Sequence, residues 1–292
     1  MNSPDEPPPL SPGEAAPHEG LPSSEEVPPG PAPAPGGSLP EDLRISWSWL
    51  HLAVFLLYGV GSLVFIQLGL SLYLTSVRHL HAKQIEKLLT TNAPYIVVEQ
   101  IIWFGLLMLF LWVSLSALRE APFWRSVGWR PLRSSTSLSG EAWRYFFSGC
   151  ALSIFVAVAG SRIHQPENVP MQELLKDRTG TLLVMGLAVL FAPLVEETIF
   201  RGYLYPLLAS KLGVPAGILV TGVFFGLLHG AQLGWTWGLV ALLMLVGIVL
   251  TYVRARTGTV VASYFVHLGY NSMLAVSAGI ATHGFRSFPP GP

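Results

Sequence analysis

The chain has 292 residues, of which 51% are hydrophobic and only 12% charged, with a mean hydropathy of +0.51. Soluble domains carry about 25% charged residues, so this is the composition of a membrane protein. The formal net charge is zero, which argues against nucleic acid as a partner.

Residues 1–40 hold 13 prolines and six acidic residues, with no Lys or Arg and almost no large apolar side chains. Such a segment buries too little surface to offset its ordering entropy, so residues 1–42 are expected to form a disordered tail. No basic n-region precedes the first apolar run, which is therefore expected to stay as an uncleaved anchor. Stretches free of Asp, Glu, Lys and Arg then cover residues 45–77, 100–118, 145–161, 179–195, 212–253 and 257–285. A spanning helix needs about 17–25 apolar residues. Four of the stretches fit one helix each, 45–77 is long for one, and 212–253, with 42 residues, must hold two. The expected architecture is all-α: a transmembrane bundle over residues 43–283 with seven spans, or eight if the segment 203–212 also enters the bilayer. A short tail, 284–292, follows. Lys and Arg divide nine against seven between alternate loops, with Arg144 uncounted, and this bias predicts a cytoplasmic N-terminus in the cell membrane.

Glycines recur every four residues at 222, 226, 230, 234 and 238. At least the first three are expected on one helix face, where small residues let two helices approach closely and carry the adjacent His229 into the bundle. The one cysteine, Cys150, permits no disulfide within the chain and no thiolate-based metal site.

Chemistry concentrates in three short patterns. Glu196 and Glu197 end an apolar stretch, with Arg201 following. Glu197 and Arg201 stand at i and i+4 with the acid first, the favourable order for an ion pair on a helix. Glu196 is turned by about 100° from its neighbour and is free to point elsewhere. The bland alternative is a charge cluster closing a helix at the membrane surface. His229 lies deep in an apolar stretch, one turn after Phe225; a lone histidine there is more often a hydrogen-bonded core residue. His267 and Asn271 again stand at i and i+4 and project into one volume, either as donors to a developing oxyanion or as an interhelical hydrogen bond. Together the patterns weigh more, because buried polar groups need partners and these are the economical partners for one another. His51 and Glu99, also intramembrane, show no partner motif.

The order EExxxR, FxxxH, HxxxN resembles the CPBP family of intramembrane proteases, the CAAX-protease and bacteriocin-processing group. The resemblance covers about residues 120–283, including an arginine-bearing segment at 123–130. It implies that Glu196 and His229 position and deprotonate a water that attacks a peptide carbonyl. His267 and Asn271 would stabilise the oxyanion, with Glu197, Arg201 and Phe225 as supporting residues. The bundle would hold a hydrated cavity, open on the cytoplasmic side. The implied partners are the lipid bilayer and a hydrophobic or lipidated peptide. A poorly solvated carboxylate suits general-base work. No cofactor is expected; the rival is a His₂Glu zinc site of Glu196, His229 and His267, which lacks the HExxH pattern. A serine or cysteine nucleophile finds no support, since no GxSxG occurs. Other readings are a non-proteolytic regulator on the same fold and, lacking repeat symmetry, a proton-relay transporter.

Overall fold

The structure, a computed structural model, describes residues 40–118, 122–132, 138–164, 174–175 and 177–286. The expected tail at 1–39 and the final residues 287–292 lie outside these, as do Arg119, Arg133 and Lys176 of the charge count. Among the described residues there is helix and no strand. In lipid a spanning backbone must satisfy its own polar groups, and an apolar sequence does so as helix.

The helices are α1 (Trp49–Ser76), α2 (Ala82–Thr91), α3 (Ala93–Leu118), α4 (Phe123–Ser126), α5 (Leu138–Gly160), α6 (Arg178–Leu212), α7 (Val214–Leu228), α8 (Trp237–Thr257) and α9 (Val260–Ala281). Five of them, α1, α3, α5, α6 and α8, are long and apolar enough to cross a membrane. The shorter apolar α7 and the helix α9 occupy the other two expected stretches, so five of the seven expected spans have the length and hydropathy to cross. The chain is an integral membrane protein. The 45–77 stretch is one helix, 212–253 holds α7 and α8, and the 203–212 segment continues α6 instead of adding an eighth span.

A third of the α6 and α8 spans is buried, against 11% of α1 and α5, so α6 and α8 form the centre and α1 and α5 the lipid-facing rim. Apolar side chains on α1 such as Leu57 and Phe65 are correspondingly exposed. The glycine pattern works only in part. A methyl group at Gly222 or Gly226 would strike Ile248 or Met244 of α8, so these two form the expected close seam. However, α7 ends at Leu228, so Gly230, Gly234 and Gly238 leave that face. Gly230 packs under Trp235, Gly234 takes a left-handed turn conformation (φ +56°), and Gly238 faces Ile163 from α8. A second close crossing joins α5 and α9, where Gly149 abuts the Val266 carbonyl and Gly269 the Phe146 carbonyl.

Two intramembrane polar residues that show no partner motif in sequence do have partners. His51 Nδ1 lies 2.6 Å from the Tyr203 hydroxyl. Glu99 accepts from Gln67 between α1 and α3. Arg201 is wholly buried within the bundle, so it is not a loop charge and drops out of the nine Lys and Arg counted on the expected cytoplasmic side.

Candidate active site

The first motif sits on α6, and α6 is not a uniform helix. It reads α over Arg178–Gly186, π over Leu187–Phe191, α over Ala192–Glu197, π over Thr198–Leu204 and α over Tyr205–Leu212. Each π stretch ends shortly before a proline, Pro193 or Pro206. A proline inside a helix lacks an N–H and its ring crowds the carbonyl four residues back. Widening the turn to i→i+5 relieves that crowding, and the Ala192 N–H indeed reaches Leu187 O. Glu196 and Glu197 are presented on the short α-helical stretch between the two wide turns.

Glu197 and Arg201 are both fully buried and paired, Nη1 to Oε1 at 2.9 Å. The guanidinium also donates from Nη2 to the Gly247 carbonyl of α8 at 2.9 Å and stands 4.6 Å from the centre of the Phe225 ring of α7. Arg201 thus joins α6, α7 and α8. A buried ion pair must make such extra contacts to offset the cost of removing two charges from water.

His267 approaches the two glutamates from α9. Its Nδ1 is 3.0 Å from Glu197 Oε1, and its Nε2 is 3.8 Å from Glu196 Oε2. With Glu197 ionised against Arg201, the short contact assigns a proton to Nδ1 and leaves Nε2 toward Glu196. His229 follows the last turn of α7, and its Nδ1 lies 2.8 Å from the Phe225 carbonyl. A carbonyl only accepts, so this ring too carries its proton on Nδ1 and leaves Nε2 unencumbered. The Phe225 ring stands between the two imidazoles, with centroids 4.6 Å from His229 and 5.8 Å from His267. Glu196 keeps a side-chain exposure of 16%, against 4% for His267 and none for Glu197 and Arg201.

Asn271 also faces α6, but its amide is engaged. Nδ2 donates to the Ala188 carbonyl at 2.8 Å. In the widened turn the donor for that carbonyl would be residue 193, which is proline. Asn271 therefore closes the gap that Pro193 opens.

The structure brings together Glu196, Glu197, Arg201, Phe225 and His267, with Asn271 one helical turn further along α9. His229 stands across the Phe225 ring and makes its hydrogen bond to the backbone, not to Glu196. Sequence patterns miss Pro193, whose interior position in an apolar stretch is the available signal for a distorted helix. They also miss Gly247, which carries no signal because only its carbonyl is used. The His₂Glu donor set has the outer acceptors that zinc-binding imidazoles use. Even so, among the described residues no three His, Cys, Asp or Glu side chains are gathered closely enough to hold a metal ion as they stand.

Residues 178–273 match the family described as Rce1-like, type II CAAX prenyl endopeptidase Rce1-like. This is the protease group that the three motifs resemble. The matched stretch opens with α6 and closes two residues after Asn271, so it holds every motif residue, while residues 123–130 lie outside it. No curated protein and no solved structure matches the chain.

Proposed function

We propose that this chain, with its Rce1-like domain at residues 178–273, is an intramembrane endopeptidase that cleaves a hydrophobic or lipidated peptide with a water activated by Glu196. The observation that carries the reading is the division of labour between adjacent acids. Glu197 is sealed in and neutralised by Arg201, whereas Glu196 is partly open and faces an imidazole nitrogen across 3.8 Å. That gap is too long for a direct hydrogen bond, so Glu196 Oε2 and His267 Nε2 are each left to act on a reactant, the water and the carbonyl oxygen respectively.

In this scheme a water bound at Glu196 and His229 Nε2 attacks the scissile carbonyl carbon, and its proton passes to Glu196. A new C–O bond forms and the carbonyl oxygen becomes an oxyanion. His267 can donate from Nε2 only as the imidazolium, because its Nδ1 proton is committed to Glu197; the Glu197 carboxylate supports that positive charge. Asn271 has one amide hydrogen on Ala188 and a second left for the oxyanion. Collapse of the intermediate breaks the C–N bond, and the proton held by Glu196 leaves with the amine.

The test is Glu196→Gln in proteoliposomes with a farnesylated CAAX peptide as probe. Cleavage should fall by about 10²–10⁴-fold, the range for loss of a general base. Undiminished cleavage would remove Glu196 from the chemistry, and no cleavage by the wild type of either prenylated or unprenylated peptide would remove the peptidase. We further propose a metal-free reaction: activity should survive exhaustive chelation, and activity lost to chelator and restored only by zinc overturns this.

A further inference from the structure

Residues 123–130 hold no motif residue and lie ahead of the matched domain, yet they touch both helices that meet at the Glu197–His267 contact. After α4 the backbone turns at Gly128 (φ +80°), a left-handed conformation that favours glycine. The Gly128 carbonyl accepts the Val260 N–H at 2.9 Å, and the Arg130 carbonyl accepts the Thr259 hydroxyl at 2.5 Å, so the turn grips the start of α9. On its other side the fully buried Val127 lies against Gly202 of α6, where an added methyl would come within 2.5 Å of the Val127 carbonyl.

Trp129 spans the space between. Its indole N–H donates to Thr198 Oγ1 at 2.9 Å, and its ring centre is 5.4 Å from that of Tyr264. Thr198 is fully buried and directly follows Glu197. Its own hydroxyl proton goes to the Leu194 carbonyl at 2.7 Å, so the oxygen's lone pairs remain free to take the indole. Tyr264 precedes His267 by three residues, nearly one turn of α9. One side chain therefore touches both helices within a turn of the place where they must meet at 3.0 Å.

We propose that Trp129 is a positioning residue, a cross-brace that sets the separation of α6 and α9 where Glu197 orients His267. Its effect on catalysis rests on the hydrolase reading above; its effect on the two helices does not. Trp129→Phe removes the N–H and keeps a ring against Tyr264. With the farnesylated CAAX peptide, kcat should fall about tenfold while KM stays within about twofold. The melting temperature should drop by no more than about 3 °C. Thr198→Val, which also loses the hydroxyl's bond to the Leu194 carbonyl, should show at least the same kcat loss, and the double variant should be no more than about twofold worse than Thr198→Val alone, because the indole bond is already gone in it. Amide exchange should rise about fivefold or more in the stretches holding Thr198 and Tyr264, and not across the α7–α8 seam. Unchanged kcat in Trp129→Phe, multiplying losses in the double variant, or unchanged exchange at both stretches overturns the brace. A wild-type chain that cleaves no peptide sinks the hydrolase reading instead, and exchange alone then decides the brace.

Discussion

Glu196 and Glu197 are chemically identical neighbours, and the rotation of about 100° between them gives them separate work. Glu197 is wholly buried and holds both Arg201 and His267; Glu196 is partly open and holds neither at hydrogen-bonding distance. The same substitution should therefore read out differently at the two positions. Glu197→Gln strips the charge that pairs with a fully buried guanidinium, and breaking a buried pair costs about 3–5 kcal/mol. Glu196→Gln leaves no buried ion alone and should change stability by less than about 0.5 kcal/mol. Chemical denaturation of the two variants in detergent measures the contrast, and equal losses would contradict the burial argument. The i,i+4 order of Glu197 and Arg201 was legible from sequence because it is a local relation on one helix. That Arg201 also reaches the Gly247 carbonyl was not, because a backbone acceptor leaves no trace in residue type.

At the scale of the element, α6 is shaped by its prolines. Pro193 widens the turn before the glutamates, and Asn271 from α9 occupies the carbonyl that the proline leaves without a donor. Replacing Pro193 by Ala restores an N–H and removes the crowding, so α6 can regain i→i+4 bonding and rotate the glutamates relative to His267. A proline inside a helix is about 3 kcal/mol less favourable than alanine. The expected outcome of Pro193→Ala is an unchanged or higher melting temperature together with activity lowered about tenfold or more. A variant as active as the wild type would mean that the wide turn does not set the glutamates. The five helices of spanning length were readable because charge-free stretches of that length announce themselves. The π turns were not, since they arise from a ring clash and an interhelical bond, and neither changes the apolar count of α6. The end of α7 at Leu228, which takes Gly230 out of the helix seam, was hidden for a similar reason: a four-residue glycine spacing reads the same in helix and in turn.

At the scale of the whole molecule, ties far apart in sequence close the bundle at one end. Arg254, near the end of α8, pairs with Asp42 at 2.8 Å, and Arg130 with Glu41 at 3.3 Å. Helix α7 starts from that same end and has only 15 residues. At about 1.5 Å per residue it advances about 22 Å, short of a hydrocarbon layer about 30 Å thick. That length predicts that the peptide groups of residues 230–236 lie below the lipid surface, where irregular backbone survives only against protein or water. The expectation is that water reaches His229 through this shortfall from the face opposite Asp42, and not from the cytoplasmic side that the family resemblance implies for a cytoplasmic N-terminus. In a chain with Cys150 replaced by Ala, a cysteine at exposed position 232 should react with a membrane-impermeant maleimide added on that side alone. Silence from both sides would mean a dry floor, and the fuel for hydrolysis would have to come by another door.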